Sequence, residues 1–217
     1  AMVDELSGGR IGYVYVPNTS YEGNRELFRG MYAYHHKDAL IIDERFNGGG
    51  FIPDRMIELL SRETHAHWYR AGLTHPMRTP AVAHDGPKAM LINQYSSSGG
   101  DALPYFFRQK ELGTIIGTRT WGGLVGMTGN ARLMDGGYIG APRFGIYNDK
   151  GEWIIEGIGV SPDIEVIDYP HLLSRGQDPS VEKAVEILLR ELELNPPKTW
   201  PVPVQPDRSG WIEIEIP

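Results

Sequence analysis

Two glycine-rich turns hold the residues best suited to chemistry. Asn47-Gly48-Gly49-Gly50 follows the apolar run Ala39-Leu-Ile-Ile-Asp43, and Tyr95-Ser96-Ser97-Ser98-Gly99-Gly100-Asp101 follows Ala89-Met-Leu-Ile-Asn93. Short continuous apolar runs of this kind read as strands buried on both faces. Both turns then stand at the C-terminal ends of strands, the edge where open α/β sheets bind ligands. Ser98 is placed to offer a hydroxyl at the start of a helix, and Gly99 and Gly100 allow a sharp turn and close approach of a substrate. Free N–H groups there, with the helix dipole, stabilise an oxyanion. The Gly48–Gly50 turn could supply a second N–H from the opposite side. One nucleophile between two backbone donors is the geometric core of an acyl-transfer site. The same residues also form ordinary turns. Neither the Gly-x-Ser-x-Gly elbow nor a phosphate-binding Gly-x-x-x-x-Gly-Lys pattern is present, since Ser96 stands two before Ser98 and no basic residue follows either glycine cluster in the required place.

Other residues carry weaker signals. Asp101 is read as a helix cap or as a contact for a charged end of substrate. Asp43 reads as a buried partner for Arg45. Trp121, followed by Gly122-Gly123, walls a cleft or packs as an aromatic. His65 and His67 would bind metal if one strand face presented both, with His75 and His84-Asp85 nearby. The region lacks a His-Glu-x-x-His helix, so these histidines are assigned to loops and no metal is expected. His35-His36 cap the end of a helix electrostatically. Asn18-Thr19-Ser20 is a glycosylation sequon that matters only in a secreted protein.

The elements that must position these residues follow from the pattern. Arg10–Val16 is β-branched and aromatic and reads as a strand. Leu27, Met31 and Tyr34 mark a helix from Ser20 to about Tyr34. A second helix runs from Ile52 to Arg62 with Pro53 in its first turn, where a missing N–H costs nothing. A third starts at the serine turn and ends near Gln109, a strand covers residues 114–117, and residues 120–160 are Gly-rich with strand-like pieces. Asp178-Pro179 caps a helix from about Ser180 to Leu194 with Val181, Ala184, Val185, Leu188 and Leu192 on one face. Alternating strands and helices imply α/β layers with parallel pairing.

The 217 residues suit one large domain or two small ones. The expected division is a core over 1–194 and a Pro-rich tail over 195–217, read as a linker or an arm on a neighbour. Lys+Arg 21 against Asp+Glu 28 gives net charge -7, which argues against non-specific nucleic-acid binding. No apolar run is long enough to span a membrane, no leader is visible, and the absence of cysteine excludes disulfides and a thiol nucleophile.

Four segments in order carry a resemblance: Asp43-Glu-Arg-Phe-Asn-Gly-Gly-Gly-Phe51, Asn93-Gln-Tyr-Ser-Ser-Ser-Gly-Gly-Asp101, Gly117-Thr-Arg-Thr-Trp-Gly-Gly-Leu-Val-Gly126 and Glu156-Gly-Ile-Gly-Val-Ser-Pro-Asp163. They resemble the tricorn-type branch of the C-terminal processing serine peptidases, from about Arg10 to Leu194. The resemblance implies a crotonase-like or Clp-like βα superhelix and hydrolysis of peptides without a cofactor. It implies Ser98 as nucleophile, Gly99 as one oxyanion donor, Gly49 or its neighbour Gly50 as the other, and Glu156 as an acidic support. Asp101, Trp121 and Gly122 are taken as substrate contacts. In this branch the base is a histidine from a subdomain upstream of a PDZ-like domain, and both would precede Ala1. The processing branch instead uses a downstream lysine, at a position that falls on Gly123, and no lysine lies between Lys110 and Lys150. The resemblance further implies a cytoplasmic homo-oligomer. The acidic residue that relatives use to select basic substrates is not assigned to a position here, because residues 64–80 contain no Asp or Glu, and a preference for basic residues is left open. The alternative reading is a non-catalytic peptide- or ligand-binding and assembly module on the same fold. A third, weaker one is an acyl-CoA enzyme of crotonase type.

Overall fold

The computed structural model describes residues 2–70, 72, 76–127, 131–204 and 210. Five strands form one sheet in the order β1 (Ile11–Tyr15), β2 (Ala39–Asp43), β5 (Lys88–Ile92), β6 (Thr114–Gly117) and β7 (Ile164–Glu165). Every pairing in it is parallel. The apolar runs of β2 and β5 are buried along their whole length, as their composition requires. Successive side chains point to opposite faces. Leu40, Ile42, Met90 and Ile92 therefore pack beneath α2 (Tyr21–Tyr34), α3 (Asp54–Leu60) and α4 (Gly99–Gln109). Ala39, Ile41, Ala89 and Leu91 pack on the other side against α1 (Met2–Ser7) and α6 (Pro179–Leu194). The result is a three-layer α/β sandwich.

Most elements lie where the pattern puts them. Asp178 caps α6, its carboxylate accepting from the Val181 N–H at 3.1 Å. Pro53 sits one residue outside α3, at its N-cap, and not in the first turn. Pro104 lies inside α4 as its sixth residue, past the unbonded donors of the helix start, so the Gly100 carbonyl lacks its usual i+4 donor. The described residues between 120 and 160 form isolated bridges, Gly126 with Phe144, Arg132 with Tyr138 and Tyr147 with Trp153, and no full strand. A two-stranded antiparallel sheet, β3 (Ala66–Trp68) with β4 (Met77–Thr79), occupies the region read as loop. A one-turn helix, α5 (Pro170–Leu173), precedes α6.

An ion network ties the C-terminal end of β2 to the start of α6. The Arg45 guanidinium donates to Asp43 Oδ2 at 2.6 Å, Asp168 Oδ2 at 2.8 Å and Asp178 Oδ2 at 2.9 Å. Asp43 also accepts from the Tyr13 hydroxyl at 2.6 Å. Burial and the neighbouring Asp43 charge raise the Tyr13 pKa far above its ordinary value, so the phenol stays a donor. Asp43 is thus structural, as the sequence suggested. Breaking a buried pair leaves uncompensated charge and costs about 3–5 kcal/mol. Arg45→Ala is accordingly expected to lower the unfolding free energy by that amount in urea denaturation, and a loss under about 1 kcal/mol would show that the three carboxylates do not depend on it.

Candidate active site

Because β1, β2, β5 and β6 lie side by side and run parallel, the loops following them meet at one edge. The contacts are close. A side chain at Gly49 would put its Cβ 2.7 Å from Ser98 Cβ and 2.9 Å from the Gly99 nitrogen, and one at Gly100 would lie 2.6 Å from the Asn47 carbonyl oxygen. The Ser97 N–H donates to that carbonyl at 2.9 Å, joining the two turns directly. The loop after β1 closes the third side. Thr19 donates its hydroxyl to Phe51 O at 2.7 Å and its N–H to Gly49 O at 2.9 Å.

Ser98 occupies φ 56°, ψ −113° at the start of α4. A non-glycine residue held in such a sparsely populated region stores about 1–3 kcal/mol, and such outliers cluster at functional sites. The Ser98 N–H is shared between Asp101 Oδ2 at 2.7 Å and Gly123 O at 3.1 Å. Asp101 is fully buried, and its other oxygen accepts from the Gly122 N–H at 2.7 Å. One carboxylate thereby joins the serine turn to the strip that follows β6.

Ser98 lines a cleft of about 500 Å³ together with Gly50 and Gly99. Phe51, Leu124, Val125, Phe144 and Ile146 supply its apolar walls. The two expected amide donors differ from each other. The Gly49 N–H is committed to Asn47 Oδ1 at 2.9 Å. The Gly50 and Gly99 N–H groups have no hydrogen-bond partner among the described residues. Glu156 is exposed beside the cleft, and its Oε2 accepts from the Leu124 N–H at 2.5 Å.

Three residues expected to contact substrate lie outside the cleft lining. Asp101 is buried, and its carboxylate accepts from the Ser98, Gly122 and Gly123 N–H groups. Trp121 is exposed but does not line the cleft. Gly122 directs its N–H to Asp101 and its carbonyl to the Gly157 N–H, and it too lies outside the cleft. The wall comes from the next residues, Leu124 and Val125. Asn47 escaped notice in the sequence although it spans both turns. Its position before three glycines is the signal, because an Asn side chain readily accepts from the backbone two residues on.

Glu44 lies under the same loops, fully buried, with neither carboxylate oxygen hydrogen-bonded. Burial raises its pKa well above the usual carboxylate range.

No histidine or lysine lines the cleft among the described residues. Nor do three His, Cys, Asp or Glu side chains cluster there to hold a metal ion. His67 packs on Trp200 with ring centroids 4.7 Å apart, and His35 Nδ1 meets Tyr32 O at 2.6 Å at the end of α2. His75 lies outside the described residues. His84 is buried with both ring nitrogens unpaired, and Lys88 donates to its carbonyl at 2.8 Å.

The sequence profile of peptidase family S41 matches residues 10–166. The chain belongs to peptidase family S41. A tricorn protease homolog of Streptomyces coelicolor is 38% identical over 209 residues, 96% of this chain and 18% of the relative. The tricorn protease of Thermoplasma volcanium is 36% identical over 197 residues, 88% of this chain and 18% of the relative. The crystal structure of the tricorn protease superposes with a TM-score of 0.82 at 34% identity, over 88% of this chain and 19% of that one. The S41 chain described here thus spans about a fifth of the length of these relatives. Among the described residues no helix is long and apolar enough to cross a membrane.

Two outcomes follow from the strained serine and the buried histidine. Ser98→Gly relieves the backbone strain, so its thermal midpoint is expected above that of Ser98→Ala by the equivalent of about 1–3 kcal/mol; equal midpoints would remove the strain. Burial lowers the folded-state pKa of His84 to about 4, while an unfolded histidine titrates near ~6.5. The unfolded chain therefore takes up the proton first. The stability present above pH ~6.5 is lost as the pH falls toward about 4, by up to about 3 kcal/mol. Urea midpoints across that range should show this loss in the wild type and a smaller one in His84→Phe.

Proposed function

We propose that this S41 chain is the serine-bearing core of a peptidase. The observation that carries the reading is the strained Ser98 lining one cleft with two unpartnered amides, those of Gly50 and Gly99. Ser98 Oγ attacks the scissile carbonyl while its proton passes to a base. The C–N bond then breaks, the leaving amine takes that proton, and water hydrolyses the acyl ester to regenerate the serine. The Gly50 and Gly99 N–H groups hold the oxyanion in this scheme. Gly50 replaces Gly49, whose amide is occupied by Asn47. Glu156 supports the cleft wall through Leu124.

A serine hydroxyl needs a base near neutral pH, and no histidine or lysine lines the cleft among the described residues. We assign that role to a histidine outside these 217 residues, in an upstream subdomain of the same polypeptide with a PDZ-like domain between. Residues 1–194 form the core in this proposal, 195–217 the tail, and the working unit is a cytoplasmic homo-oligomer acting on peptides. The similarity to tricorn proteases supports this reading.

A polypeptide carrying the upstream segment should hydrolyse peptides and be modified at Ser98 by a fluorophosphonate probe. Ser98→Ala should lower hydrolysis by at least about 10³-fold, and the 217-residue chain alone should be nearly inactive. Rapid hydrolysis by the short chain would refute the upstream base. Lack of Ser98 labelling in the longer polypeptide would favour the non-catalytic binding module.

A further inference from the structure

The cleft beside Ser98 also constrains the substrate, an inference that rests on the peptidase reading above. A carbonyl held by the Gly50 and Gly99 amides leaves its own residue's side chain nearest to the cleft walls. Those walls are apolar. Phe51 and Ile52 form one side, Leu124 and Val125 another, and Phe144 and Ile146 a third. No Asp, Glu, Lys, Arg or His lines the cleft among the described residues.

Asp101 is buried behind Ser98 and occupied by backbone donors, and Glu156 lines an adjoining depression that shares Val125, Phe144 and Ile146 with the cleft. It is already engaged with the Leu124 N–H. A basic side chain entering the cleft would meet no counter-charge, and an acidic one no donor beyond the two amides reserved for the carbonyl. Transferring an unpaired charge into such surroundings is costly. A volume of about 500 Å³ is ample for a large side chain, and ligand pockets of ~300–1,000 Å³ with mainly apolar linings are the usual kind. Phe51 is braced by Tyr21, which meets it edge-on with ring centroids 5.2 Å apart and an interplanar angle of 84°. The apolar wall is therefore held in place on that side.

We propose that this cleft selects a large apolar residue, of the leucine or phenylalanine kind, at the position that supplies the scissile carbonyl. It rejects basic and acidic residues there. Phe144 is the specificity residue best suited to a test. It is exposed, lines the cleft, and its ring covers Gly126, whose hypothetical Cβ would lie 1.7 Å from Phe144 Cζ.

Product-like peptides test this without turnover, because their terminal carboxylate can occupy the two amides. Fluorescein-labelled Ala-Ala-Leu, Ala-Ala-Phe, Ala-Ala-Arg and Ala-Ala-Asp with free carboxyl ends would be titrated into the 217-residue chain by fluorescence anisotropy. The Leu and Phe peptides should bind at least about tenfold tighter than the Arg and Asp peptides, the scale on which apolar pockets discriminate. In Phe144→Asp, Arg should bind at least as tightly as Leu, and Ile146→Asp provides the same reversal should the first variant fail to fold. Equal binding of all four peptides, tighter Arg binding in the wild type, or no binding would overturn the proposal. Loss of the peptidase reading is recognised separately: the Leu and Phe preference would persist while the longer polypeptide leaves Ser98 unlabelled.

Discussion

The arrangement at the sheet edge depends on one buried carboxylate. Asp101 sits in the first turn of α4 and gathers backbone N–H groups from two segments, the serine turn and the strip after β6. A charged acceptor bonded to several donors is roughly twice as strong as a neutral one. Its position inside the protein removes competition from water. The carboxylate fixes the unusual backbone of Ser98 and, through Gly122 and Gly123, the start of the wall formed by Leu124 and Val125. Ser98 and the cleft wall are held by one anchor, so neither moves independently of the other.

That anchor works only because the layers beneath are rigid. β2 and β5 deliver the two turns side by side, and their alternating side chains are locked between two helical layers. The Arg45 network adds a lateral brace from the end of β2 to the start of α6. The loops can then adopt strained conformations whose cost is covered by the packed sheet, a division of labour expected where function requires departure from relaxed geometry.

Much of this was legible in the sequence. β1, β2, β5, β6, α2 and α6 follow from apolar runs and helical periodicity, and Ser98 and Gly99 stand out because a serine meets two glycines after a buried strand. What escaped has physical reasons. β7 has two residues and β3 and β4 three each, too short for alternation to register. α1 has six residues and is held by Val3 in the core shared with α6, a tertiary contact without a local signature. The choice between Gly49 and Gly50 turns on which amide meets the Asn47 side chain, which no spacing rule contains. Asp101 was recognised as a capping residue, but its reach across to Gly122 and Gly123 depends on how the chain returns after β6.

The glycines of the two turns have a consequence for how variation in this chain is interpreted. Gly49, Gly99 and Gly100 are pressed against Ser98, Thr19 and Asn47 so tightly that even a methyl group has no space. The Gly99 amide has no partner among the described residues, whereas the Gly49 amide is committed to Asn47 Oδ1 and that of Gly100 to Ser97 O. A saturation-mutagenesis survey scored by enzyme output would place all three beside Ser98 as equally indispensable. Separating a loss of chemistry from a loss of fold at these positions requires an abundance score measured in parallel, and in sites assembled from abutting loops, intolerance alone is a poor label for catalysis.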